Sequence, residues 1–161
     1  MKRVVQLGLA LVVMSVLAIQ AAPAGAVEIG NEGCSPGFWK GHTDIWEEYQ
    51  PTTTLGSVWA IPNPGPLAGF ADDTFLEALG YGGGSGLEGG ARILFRAAVA
   101  AYLNAAHEGL GYPLRRFTDT AAGTAMQTVI DGLLASPNRD AMIAYAAFLD
   151  AKNNLGADLC D

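Results

Sequence analysis

The stretch from Ala91 to His107 constrains this chain most. Between Ile93 and Leu103 it carries a single charge, Arg96, in an otherwise Ala-rich, apolar run. A helix that is apolar all round has no face to give to water and must be enclosed by other elements. The run therefore predicts a buried central helix, with the rest of a small all-α domain wrapped around it. Gly109 and Gly111 stop it, and Tyr112-Pro113 confirms the break. At 161 residues the chain has room for one domain of ordinary size and can bury a single core.

The flanking sequence supplies the wrapping. Ser35-Pro36 has the form of an N-cap followed by proline at the first helical position, with a short helix or turn through Phe38-Trp39-Lys40. Thr43 can cap a second turn, and Asp44, Glu47 and Glu48 suit the positive end of a helix. Gln50 to Phe70 holds Pro51, Pro62, Pro64 and Pro66 and reads as an irregular loop. Asp73 to Leu79 is a short helix ended by Gly80. Residues 80–90, GYGGGSGLEGG, read as a Gly-rich flexible connector. The stretch lacks the G-K-[ST] of a phosphate cradle, and Ser85 is not in a G-x-S-x-G elbow. Thr118 can cap the next helix, whose Met126, Val129, Ile130 and Leu133 follow i, i+3, i+4, i+7 spacing. Ser136-Pro137 restarts a last helix with Ala141, Tyr145, Phe148 and Leu149 on one face, capped by Asn153, Asn154 and Gly156. Neither an alternating strand nor an internal repeat is present.

The N-terminus reads as a processing signal. Met1-Lys2-Arg3 is basic, Val4 to Ile19 is uncharged and apolar, and Ala24-Gly25-Ala26 precedes Val27 in the A-x-A arrangement. The apolar run is short for a spanning helix, which needs about 20 residues. The expected organisation is a signal peptide over 1–26 and a single secreted helical domain over 27–161, with no membrane span after cleavage. The formal charge of −7 becomes more negative on losing Lys2 and Arg3, which argues against nucleic-acid binding. The apolar half of the composition argues against disorder. Export places the chain outside the cell or in the periplasm, where disulfides persist. Only Cys34 and Cys160 are present, so a single intramolecular bridge near the two ends of the domain is expected.

Residues with chemical potential cluster in the first third. Eight of the 14 aromatics fall between Phe38 and Tyr81, including Trp39, Trp46 and Trp59. Exposed, these tryptophans would stack on sugars; buried, they would pack. His42, Asp44, His107 and Glu108 are a candidate set for a divalent metal if the N-terminal segment folds over the end of the central helix. Lys40, between Trp39 and His42, is a base or nucleophile in one reading and a paired or snorkelling cation in the other. Arg92 and Arg96 share a helix face, fit to hold a carboxylate. Asn104, inside the apolar helix, must satisfy its amide if buried, and it and Asn154 would pin loops. Ser35, Ser57, Ser85 and Ser136 have no triad context, and no spacing singles out a catalytic pair among the 16 acids.

The string Cys34-Ser35-Pro36-Gly37-Phe38-Trp39-Lys40-Gly41-His42 resembles the C-[ST]-P-G-[FY]-W-K-x-H start of a group of secreted bacterial and archaeal domains. Ala98 to His107 with Tyr112-Pro113 resembles that group's AVAALLNAA…YP segment. Phe148-Leu149-Asp150 with Asn153-Asn154-Leu155-Gly156 resembles its LD…NN-x-G-C ending, except that Ala157-Asp158-Leu159 intervene before Cys160. The resemblance implies secretion and a disulfide-closed domain, and no reaction. The leading expectation is a non-enzymatic extracellular or cell-surface module that binds a glycan or protein or serves structurally. Its site would be Trp39, Lys40, His42, Asn104 and His107 on a shared concave surface. The alternatives are a small secreted metal-dependent enzyme using His42 and His107, and a glycan-binding module built on the Trp-rich third.

Overall fold

The computed structural model describes residues 30–161, and the expected signal peptide over 1–26 lies outside them. Among the described residues the protein is all-α, with no strand and three isolated backbone bridges. The helices are α1 (Pro36–Gly41), α2 (Leu55–Val58), α3 (Phe75–Leu79), α4 (Gly86–Ala106), α5 (Met126–Ala135) and α6 (Arg139–Asn153). Short 3-10 turns cover Thr43–Ile45, Ala68–Phe70 and Asp158–Cys160. No helix among the described residues is long and apolar enough to cross a membrane.

α4 is the axis. Leu94, Phe95, Ala98, Ala101 and Tyr102 are among the many side chains it buries, as its all-round apolar sequence requires. α6 lies along it, and α3 and α1 pack on it as well. α1 starts as expected: the Phe38 amide donates to Ser35 Oγ at 3.2 Å, and Pro36 occupies the first turn. α3 opens on a capping box, with Thr74 Oγ1 accepting from the Glu77 amide and Glu77 Oε2 accepting from the Thr74 amide. The starts of α2 and α3 are lashed together by Leu55 N–H to the Asp73 carbonyl and Phe75 N–H to the Thr53 carbonyl, both at 2.8 Å. The proline-rich loop thereby acquires a one-turn helix the sequence did not suggest. Its Trp59 is buried, stacked on Phe75 at 5.5 Å and edge-on to Tyr102 at 4.9 Å.

Three expectations about element limits are corrected. Helix α4 begins at Gly86, so the second half of the Gly-rich connector is helical. Its glycines answer to close packing: a Cβ at Gly89 would strike the Gly84 backbone, and one at Gly90 would press on Arg139 Cγ at 3.0 Å. Helical cost at glycine is repaid here by contacts that no larger residue permits. Thr118 does not cap α5. The helix begins at Met126, and the loop before it is held by the Ala125 amide donating to Asp119 Oδ1 at 2.8 Å. α6 begins after Asn138, whose Oδ1 accepts from the Ala141 amide at 3.0 Å. Its inner face is Met142, Ala146, Leu149 and Asn153, while Ala141 and Phe148 are exposed.

The ends of the domain meet beside α6. Gly33 and Gly156 exchange backbone hydrogen bonds at 3.2 and 3.0 Å. The expected Cys34–Cys160 disulfide is formed, with Cα atoms 5.7 Å apart. A side chain at position 33 would run into the Lys152 carbonyl, so this crossing requires glycine.

Candidate functional site

The motif residues converge on one buried amide. Asn104 Oδ1 accepts from the Cys34 amide at 2.8 Å and from the Trp39 indole N–H at 3.0 Å. Its Nδ2 donates to the Cys34 carbonyl at 2.9 Å and to Asn153 Oδ1 at 3.0 Å. A side-chain amide has two donor hydrogens and two acceptor lone pairs, and Asn104 uses all four. Asn153 Nδ2 in turn donates to the Ala97 carbonyl at 2.9 Å, and the Tyr112 hydroxyl donates to Asn153 Oδ1 at 2.8 Å. Burial pushes the Tyr112 phenol far above its ordinary range, so it stays protonated and keeps donating. Trp39, Asn104, Tyr112 and Asn153 are wholly buried. The N-terminal segment, α4, the segment after it and the end of α6 are thus joined in one neutral, satisfied network. Such networks are costly to break, because each orphaned group keeps its desolvation penalty.

Around this hub the remaining candidates take separate directions. Trp39 covers His107, with ring centres 5.8 Å apart, and its carbonyl accepts the Trp46 indole N–H at 2.9 Å. His42 is exposed, stacks on Phe38 at 4.3 Å and donates from Nδ1 to the Phe38 carbonyl at 2.8 Å. His107 Nδ1 instead accepts from the Gly109 amide at 3.1 Å, and Nε2 faces Glu47 Oε1 at 3.8 Å. In their neutral forms the two rings therefore hold opposite tautomers. Glu47 Oε2 also takes the Glu108 amide at 2.6 Å. The proposed set His42, Asp44, His107 and Glu108 is not brought together. Among the described residues no group of three or more His, Cys, Asp or Glu side chains is gathered as a metal would require.

The shared concave surface is corrected in the same way. A depression of about 380 Å³ lies at the end of α4, lined by Ala106, His107, Glu108, Leu110, Gly111 and Arg115. It contains His107 but not Lys40, His42 or Asn104. Asn104 is sealed beneath Trp39, and Lys40 extends to the end of α3, its Nζ 3.0 Å from where a Cβ on Gly80 would stand. A cation there complements the negative end of the short helix. All three tryptophans are buried, so the aromatic third presents no indole platform. Arg92 and Arg96 diverge. Arg92 lines a depression of about 230 Å³ with Phe70, Asp73 and Glu88, and Arg96 reaches towards the Tyr81 carbonyl. Asn154 only bonds back to the Asp150 carbonyl within α6. The buried partner of Asn104 is Asn153. Its signal was present in the sequence, as a polar residue continuing the apolar spacing of Met142, Ala146 and Leu149.

A second cluster has no sequence motif. Arg116 and Glu48 form a two-point pair, Nη1 to Oε2 at 2.7 Å and Nη2 to Oε1 at 2.8 Å. Arg116 Nη1 also donates to the Tyr49 hydroxyl at 2.9 Å. The guanidinium carbon sits 5.4 Å from the Tyr49 ring centre and 5.2 Å from that of Phe117. The Arg116 hydrogen bond holds the Glu48 carboxyl below its ordinary value. Glu48 has φ +62°, the left-handed region that a non-glycine residue enters at a cost. Phe117 is 64% exposed, the most open of the large apolar side chains among the described residues.

The sequence matches no protein-family model, and comparison with curated proteins and with solved structures returns no significant match.

Proposed function

We propose that this chain is an extracellular or cell-surface module that works by binding or structural association, not by catalysis, and that it is exported with cleavage after Ala26. The fate of the motif residues supports the reading. The side chains best placed in sequence to do chemistry, Trp39, Asn104 and Asn153, are spent on holding the domain closed, and the two histidines face different partners. Together with the terminal disulfide, this is the investment of a rigid scaffold that presents a surface. The resemblance of the Cys34–His42 string to secreted domains fits the same compartment.

The test is co-sedimentation of the purified domain with isolated envelopes of the producing cell, followed by analysis of both partners. Saturable pelleting with the envelope polymers and proteins left intact is the expected result. A protein that stays in the supernatant, or one that releases fragments from the envelope, overturns the reading.

A further inference from the structure

The geometry points to a binding site for a neutral oligosaccharide on the surface formed by Phe117, Arg116, Glu48 and Tyr49; the inference rests on the binding-module reading and names its ligand class. A sugar ring presents an apolar C–H face and a rim of hydroxyls, each both donor and acceptor. A site for it needs an open, flat apolar ring with planar polar groups alongside that are already oriented. Phe117 supplies the ring. It is 64% exposed, yet Arg116 lies over it at 5.2 Å and Tyr102 meets it edge-on at 6.5 Å, so its plane is held.

The polar groups are the Arg116–Glu48 pair. The guanidinium is fixed between two rings and by three hydrogen bonds, while the Glu48 side chain remains 55% exposed, leaving carboxylate lone pairs open. Donor and acceptor thus stand side by side, as two adjacent hydroxyls demand. The pair is neutral as a unit, so it selects neither a phosphate nor an ammonium group but an uncharged polyol. The left-handed backbone at Glu48 fits this assignment. Glycine would relieve the strain but could not aim a carboxylate at Arg116, and strain of this kind collects at functional positions.

Isothermal titration of the intact, oxidised domain with cellohexaose and with chitohexaose tests the assignment, with hexagalacturonate as the charged control. Binding of a neutral hexasaccharide is expected, weakened at least about tenfold by Phe117→Ala and restored by Phe117→Trp, with hexagalacturonate silent. Because Phe117 is exposed, the alanine variant should keep the wild-type circular dichroism. No heat with either neutral sugar at millimolar concentration overturns the assignment, as does binding indifferent to Phe117→Ala. If Phe117→Ala abolishes self-association in sedimentation velocity without any sugar binding, the patch is a protein interface and the assignment falls. Envelope binding retained by Phe117→Ala would defeat this site while leaving the module reading standing.

Discussion

At Asn104 and at Arg116 the chain joins segments 70 and 68 residues apart by opposite means. The Asn104 hub is neutral, dry and saturated, with no hydrogen-bonding capacity left over. The Arg116 clasp is charged, half open to water and built on a strained turn, with capacity to spare. Buried amides of the first kind resist removal because their partners cannot turn to solvent. Exposed ion pairs of the second kind contribute about 0–1 kcal/mol, since water competes for both groups. One contact therefore holds the fold, and the other can be spent on a ligand.

The largest effect should come from Asn104→Ala. It strands the Cys34 amide and the Trp39 indole N–H and empties the hub, at roughly 1–3 kcal/mol per orphaned donor plus the vacated volume, about 5 kcal/mol in all. Urea unfolding would measure it, and a loss under about 1 kcal/mol would show that water or a shift replaces the amide. Reducing Cys34–Cys160 comes next. Closing so long a loop is worth about 4 kcal/mol in the chain-entropy model. Because Asn104 grips both backbone groups of Cys34 independently, the reduced protein should stay folded with a lowered melting temperature. Collapse to an unfolded chain on reduction would reverse the ranking of hub and bridge.

Glu48→Gln should cost only about 0.5–1 kcal/mol, and its signature is pH. The folded carboxyl titrates below its ordinary 4.5, so its contribution is complete above that value and is lost as pH falls through the lowered one. The difference in melting temperature between wild type and variant should therefore shrink on acidification. A difference constant down to strongly acid pH would mean that the charge on Glu48 is irrelevant to the clasp. Phe117→Ala sits at the bottom of the scale, within about 0.5 kcal/mol of wild type by thermal melting, because its ring is open to water. A larger loss would place Phe117 with the hub, as a structural residue.

The two regions were unequally legible in the sequence. The α4 run announced its burial through composition, Ser35-Pro36 announced a cap, and Asn104 stood out as a polar residue in an apolar run. The bulk of Tyr145 and Phe148 drew the inner face of α6 one residue out of register. Met142 and Ala146 fill the tight space beside α4, and Asn153 continues their face into the hub. The helical glycines at 86–90 were masked because glycine's local preference is for loops, and only tertiary contact with Gly84 and Arg139 explains them. Nothing local marks Arg116 or Glu48, whose pairing exists only once residues 68 apart are folded together.

The meeting of Cys34 with Cys160 has a mechanical consequence. A pull applied to the polypeptide on either side of these residues enters at one sulfur and leaves at the other, 5.7 Å away between Cα atoms. Tension bypasses every helix between them, so the oxidised domain contributes almost no extensible length to a chain under load. Its exposed surfaces would keep their shape in a stretched tether. With the bridge cut, the same force would peel Gly33 from Gly156 and then load the Asn104 hub directly.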